Sequence, residues 1–276
     1  MMDWLNISRG NAPLIIAVPH AGTVIPDDIA ARFHSAWLGR KDADFYVDQL
    51  YDFARDADVT LISTDISRSV IDVNRDPSGA SLYPGMATTG LCPLTSFDGE
   101  PLYSGAEPDE AEIAQRRAKW FEPYHGAIQD ELDRLRQTHR NVVLYDAHSI
   151  RYRIPRLFEG DLPMFNIGTN GGATCDERLQ NAVVEICEAS GLETVLNARF
   201  KGGWTTRHYG RPEDGIHAIQ MELAMQGYLD EPETPTPENW PTPYAASRAA
   251  QTVSVLKSVI GACLNFAGPL SHGDKI

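Results

Sequence analysis

The chain predicts an α/β fold: a three-layer α/β/α sandwich around a mixed sheet, built as a single domain over residues 1–276. Two observations carry this. Short apolar runs that read as buried strands alternate with segments of helical period, the pattern of layered α/β proteins. The composition, 42% hydrophobic and 22% charged, is that of an ordinary globular chain long enough for a large core.

Pro13 to Val18 is an apolar run and the first expected strand. Asp42 to Arg55 reads as a helix, with Tyr46, Leu50, Phe53 and Ala54 on one face. Val59–Ser63 is a strand, and Val70–Val73 is expected to be another. Residues 76–107, rich in Pro and Gly, form an irregular segment of a length that compact domains reserve for function. A long helix runs from Pro108 to about His139, acidic at its start and basic at its end as the helix dipole favours, with Pro123 expected to kink or split it. The strand at 141–146, a short strand at 163–168, a helix from Cys175 to Ser190 and a strand from Glu193 to Leu196 follow. Ile216 to Met225 is apolar but carries Glu222; residues 230–243 hold five prolines and read as a surface loop; Tyr244 to Phe266 closes the chain as a helix.

The formal charge is −14, from 38 acidic and 24 basic residues. Phosphate backbones select basic surfaces, so nucleic acid is not an expected partner. No run of about 18 apolar residues suggests a membrane span, and Met1 to Gly10 has no apolar core of a secretion signal. The four cysteines, Cys92, Cys175, Cys187 and Cys263, form no CxxC pair. Zinc ribbons and disulfide frameworks are therefore not expected, and a cytoplasmic location fits best.

Two runs stand out. Val18-Pro-His-Ala-Gly22 and Tyr145-Asp-Ala-His-Ser149 each place a histidine just past an expected strand. Open α/β sheets bind ligands at that edge, and imidazole is the commonest metal ligand. His20 and His148 therefore suggest a mononuclear metal site, whose third ligand is a carboxylate among Asp44, Asp42 and Asp146. Asp146 is alternatively an acceptor for a histidine N–H. Glu222 in its apolar segment is a candidate general base, since burial raises a carboxyl pKa toward the range useful for proton transfer. Arg68 and Arg75 flank Ser69 to Asn74, and Arg207 and His208 follow Gly202-Gly203-Trp204. Guanidinium groups in such turn-rich loops suit a small dicarboxylate. Gly168-Thr-Asn-Gly-Gly172 lacks both the Walker lysine and GxGxxG spacing, and no Gly-x-Ser-x-Gly elbow is present. His34, His125, His139, His217 and His272 have no partner legible in the sequence.

Together with Asp42 to Tyr51, Ser67 to Pro77, Phe200 to Gly210 and Gln220-Met-Glu222, the two histidine runs resemble the N-formylglutamate amidohydrolases, the deformylases of histidine degradation. The resemblance covers most of the chain. It implies a fold similar to zinc carboxypeptidases and succinylglutamate desuccinylases. It implies one divalent metal ion, zinc, on His20, Asp44 and His148, with Glu222 as the catalytic carboxylate. Substrate contacts are then expected from Arg68, Asn74, Arg75, Arg207 and His208. The carboxypeptidase pattern has a ligand glutamate three positions after its first histidine; Thr23 stands there in this chain, so Asp44 is inferred from elsewhere. The activity implied is hydrolysis of N-formyl-L-glutamate to formate and L-glutamate. A hydrolase of another N-acyl amino acid and a non-catalytic dicarboxylate-binding protein are the alternatives.

Overall fold

In the computed structural model, which describes residues 3–82 and 85–268, seven strands form one sheet: β1 (Leu5–Ser8), β2 (Leu14–Val18), β3 (Thr60–Thr64), β4 (Val142–Ile150), β5 (Phe165–Gly168), β6 (Thr194–Leu196) and β7 (Ile216–Ala224). Their spatial order is β1-β3-β2-β4-β7-β5-β6. The inner pairs β3–β2, β2–β4 and β4–β7 are parallel, while β1 on β3 and β5 on β7 are antiparallel, so the sheet is mixed as expected. Every residue of β2, β4 and β7 is buried. A strand covered on both faces reads as a continuous apolar run, which is why 13–18 and 141–145 were legible.

Among the described residues, seven α-helices accompany the sheet: α1 (Asp27–Ala30), α2 (Val47–Leu50), α3 (Glu110–Arg116), α4 (Glu122–Arg136), α5 (Glu177–Ala189), α6 (Trp204–Tyr209) and α7 (Ala246–Ala267). Side chains alternate across the strands. Leu14, Ile16, Val143, Tyr145, Ile219 and Met221 join Leu179 and Val183 of α5 and Leu256 and Val259 of α7 in one core. Ile15, Ala17, Val142, Leu144 and Ala218 join Tyr124, Ile128 and Leu132 of α4 in the other. These are the three layers. Burying each large aliphatic side chain contributes about 1.5–3 kcal/mol, so the two faces together dominate the fold's stability. Cys187 and Cys263 pack as small apolar groups in the first core, and all four cysteines are free thiols.

Several local expectations are corrected. The helix read over 42–55 breaks: Tyr46 has φ 61°, α2 covers only Val47–Leu50, and a 3₁₀ turn follows over Asp52–Ala57. Tertiary bonds override helical period here, because the Asp44 N–H donates to the His20 carbonyl (2.9 Å). Val70–Val73 is not a strand; its apolar side chains are buried, but its backbone bonds to turn and loop carbonyls, with Asp72 N–H donating to Leu91 (2.7 Å). The long helix does split at Pro123. Five π-helical residues, Arg117–Phe121, separate α3 from α4, accommodating a proline that has no N–H and would crowd the carbonyl four residues back. His148 lies inside β4, not past its end, because the β4–β7 ladder continues to Ile150. The edge strand β1 and the short helices α1 and α6 carried no periodicity long enough to read. By mean hydropathy and length α7 is apolar enough to cross a membrane; Ala249, Leu256, Val259, Ile260 and Cys263 pack it on the core. His272 lies outside the described residues.

Candidate active site

Three chain segments meet where β2, β4 and β7 reach their C-terminal ends. The loop after β2 delivers His20, the broken turn before α2 delivers Asp44, and β4 delivers His148. One donor atom from each lies within 4.8 Å of the others, and all three residues are buried. Asp44 is fixed from several sides: Ser149 N–H (3.1 Å) and Arg68 Nη1 (3.2 Å) donate to its carboxylate, and His148 Nδ1 faces it at 3.1 Å.

The outer edge of each imidazole meets a carboxylate. His20 Nε2 lies 2.7 Å from Asp72 Oδ1, and His148 Nε2 lies 3.0 Å from Asp146 Oδ1. Such carboxylate partners fix the ring and its tautomer, leaving the other nitrogen as a lone-pair donor. That other nitrogen in His20, Nδ1, is buried without a hydrogen-bond partner and sits 3.8 Å from Asp44 Oδ2. A buried polar atom left unpaired is costly, and a cation between His20, Asp44 and His148 would satisfy it. The donor set of two imidazoles and one carboxylate suits a divalent transition metal.

The electrostatics agree. Burial alone raises a carboxyl pKa, yet Asp72 is held well below the ordinary range because His20, Arg75 and Arg68 outweigh its burial, and Asp44 is lowered by His148, His20 and Arg68 against the same penalty. His148 is raised well above its usual value despite burial, through Asp146 and Asp44. Burial and Arg68 lower His20. The pocket between these groups therefore favours a positive charge.

Glu222 pairs in register with His148 across β4–β7, on the same sheet face. It is buried, and its carboxyl is pushed up to about 8, first by burial and then by Asp44 and Asp146, with His148 and Arg68 opposing. The segment is a central strand covered on both faces, so Glu222 meets solvent through the cleft rather than across an exposed face. A narrow cleft, open to solvent, leads to Glu222, His20 and His148.

A family model for N-formylglutamate amidohydrolases matches residues 12–229. The chain belongs to this family. It is 44% identical over 262 residues to the N-formylglutamate deformylase of Pseudomonas putida, covering 94% of this chain and 95% of the relative. It is 41% identical over 266 residues to that of Pseudomonas aeruginosa, covering 96% and 97%. Among solved structures, the N-formylglutamate amidohydrolase from Ralstonia eutropha superposes with a TM-score of 0.77 at 22% identity, covering 95% of this chain and 98% of that one. An Agrobacterium tumefaciens gene product superposes at 0.72 with 18% identity, covering 97% and 96%. Both share the fold.

Within this amidohydrolase family member, the other sequence candidates divide. Arg68, Asn74 and Arg75 line the cleft. Arg68 is occupied by Asp44 and by Asp72 (2.8 Å) and lies over the Phe97 ring. Asn74 Nδ2 donates to Asp146 (3.0 Å) and lies 2.8 Å from His148 Nε2, while its Oδ1 accepts from Thr205 N–H. Arg207 and His208 sit on α6 and are not part of the cleft wall. His208 stacks on Trp204, and Arg207 Nε donates to the Gly202 carbonyl. Asp42 accepts from Phe97 N–H (2.6 Å) and faces Arg151, outside the group of three. Asp146 lies beside His148, its Oδ1 3.0 Å from Nε2, and its Oδ2 accepts from Asn74 and Thr206. Sequence reasoning missed Asp72, Thr88, Thr89, Phe97 and Arg199. Asp72 lies inside the Ser67–Pro77 run, and its acidic residue amid buried apolar neighbours was the available signal. Arg199 and Thr89 carried no local signal, since each reaches the cleft from an irregular segment.

Proposed function

We propose that this protein hydrolyses N-formyl-L-glutamate to formate and L-glutamate, with one divalent ion, zinc, held by His20, Asp44 and His148. The observation that carries this reading is the buried convergence of those three donors beside Glu222, at the base of a cleft lined with arginine. Membership of the family and the deformylases at 41–44% identity supply the substrate.

Held by His20, Asp44 and His148, the ion would supply Lewis acidity toward water and the formyl carbonyl. The protein does the rest. Asp72 and Asp146 orient the two imidazoles. Glu222, held rigidly in a central strand, takes a proton from the attacking water and returns it to the amine nitrogen as the C–N bond breaks, so a single carboxylate serves as base and then acid. Its raised pKa suits both directions of transfer near neutral pH. Arg68 adds positive charge beside the site where the carbonyl oxygen gains negative charge. The arginines of the cleft hold the carboxylates of the substrate, and bidentate guanidinium forks fix its orientation.

The test couples metal analysis of the purified protein to a formate-release assay on N-formyl-L-glutamate and on larger N-acyl glutamates. About one equivalent of zinc and preference for the formyl substrate are expected. Glu222→Gln should reduce kcat by about a thousandfold or more while metal content stays unchanged; near-normal turnover would remove Glu222 from the proton-transfer role.

A further inference from the structure

We propose that Gln220 is a positioning residue for the hydrolytic step. Its side-chain amide holds the Glu222 carboxylate at one end and the Gly202–Gly203 turn at the other, and so fixes the proton-transfer group relative to the metal-side histidines. This rests on the N-formylglutamate reading above and deepens it by naming a group that acts through Glu222.

Gln220 and Glu222 stand two residues apart on β7, so their side chains leave the same face of the sheet. Both are buried, and both line the cleft. The Gly203 N–H donates to Gln220 Oε1 at 2.7 Å. That bond decides which end of the amide is which. With its oxygen committed to the turn, the amide presents its N–H end to the carboxylate, and Nε2 donates to Glu222 Oε2 at 3.4 Å. Among the described residues this is the one hydrogen bond that reaches the Glu222 carboxylate. It is long, as catalytic hydrogen bonds often are before substrate draws a site together.

The neighbouring strands are shaped for this contact. Gln220 pairs in register with Gly168 on β5 and with Asp146 on β4. Gly168 has no side chain to fill the face beside Gln220, and a Cβ there would lie 2.6 Å from the Gly202 nitrogen. The bare position lets the backbone of 201–203 settle on the sheet next to the amide. The same turn backs Asn74: Trp204 N–H donates to the Asn74 carbonyl (3.2 Å) and Thr205 N–H to its Oδ1 (2.8 Å). Asn74 in turn donates to Asp146 (3.0 Å) and lies 2.8 Å from His148 Nε2. One amide thus links the base on β7 to the segment that steadies a histidine on β4. Glu222 must take a proton at one atom and return it at another. A misplacement of about 1 Å in such a group costs up to about a hundredfold in rate.

The test measures kcat and KM for formate release from N-formyl-L-glutamate in Gln220→Met, which keeps the volume and removes both bonds. kcat should fall by about 10- to 100-fold while KM stays within about twofold, and metal content should be unchanged. A double-mutant cycle with Glu222→Gln separates positioning from packing. If Gln220 acts through Glu222, adding Gln220→Met to Glu222→Gln should cost less than about twofold further. Full multiplication of the two losses would make Gln220 a strut of the turn and overturn the proposal. Gln220→Glu keeps an acceptor for the Gly203 N–H and removes the amide donor, so it covers a folding defect in Gln220→Met. Its kcat should fall likewise, and wild-type kcat in it would also overturn the proposal. A wild-type protein that releases no formate would refute the N-formylglutamate reading and this inference with it. Wild-type turnover together with an unaltered Gln220→Met would refute this inference alone.

Discussion

Asp72 shows how much a single residue outside the donor set can decide. It accepts from His20 and from the backbone N–H of Asn74 (3.0 Å), and pairs with Arg68. It therefore fixes the His20 ring, aims Nδ1 at Asp44 and His148, and ties an arginine of the wall to the same point. Asp72→Asn keeps the shape and removes the charge. Loss of such a partner weakens metal binding by about 10- to 100-fold, and competition with a chelating dye should read a shift of that size while circular dichroism stays unchanged. An unaltered metal affinity would reduce Asp72 to a packing role. Of the acidic candidates in the sequence, Asp44, Asp42 and Asp146 are chemically alike; only their surroundings separate a donor aimed at two imidazoles from a loop anchor and a histidine acceptor.

Short irregular elements, more than long regular ones, build the site. The Gly202–Gly203 turn leads into α6 and brings backbone against Asn74: a Cβ on Gly203 would lie 2.4 Å from Asn74 Nδ2 and 2.6 Å from its Cγ. Asn74 cannot yield freely, since its amide is held by Asp146 and Thr205. Gly203→Ala should displace it and disturb His148. Overpacking of this kind costs about 1–3 kcal/mol, and the expected outcome is a lower urea midpoint together with a kcat/KM reduced by roughly tenfold or more. A variant matching wild type in both would mean that Asn74 tolerates the shift. The same principle explains the helix read over 42–55. Its apolar spacing is real, and Leu50 and Ala54 are buried, but Asp44 is required at the sheet edge, and the chain reaches it through a left-handed Tyr46.

At the scale of the whole molecule, His125 couples the α4 layer to the site segment. It is buried between Val73, whose carbonyl lies 2.7 Å from Nε2, and Tyr209 of α6. Burial pushes its pKa down from the ordinary 6.5 to about 4. The unfolded chain therefore binds a proton on this residue between pH 6.5 and 4 that the folded chain refuses. Its contribution to stability is complete above pH 6.5 and is lost as pH falls toward 4, amounting to about 3 kcal/mol. Glu231, pushed up by burial to about 7, acts in the opposite sense, losing stability as pH rises toward 7. Comparing wild type with His125→Gln isolates the histidine: urea unfolding from pH 7.5 to pH 4.5 should show a smaller acid loss in the variant. Parallel curves would mean that His125 titrates normally.

The sequence by itself determined the layered α/β architecture, because strands covered on both faces must be apolar throughout and helices on a sheet must be apolar on one side. It also offered His20, His148 and Glu222, because charged or imidazole groups in or beside apolar strands are costly without a purpose, while Asp44 stood among three carboxylates and was singled out by the family resemblance. Distances and company were decided only in three dimensions. Arg199 and Thr89 come from segments with no periodicity, and the β4–β7 register sets Glu222 beside His148. Local patterns report what a residue must bury; which residues meet across a sheet edge depends on contacts between parts of the chain far apart in sequence.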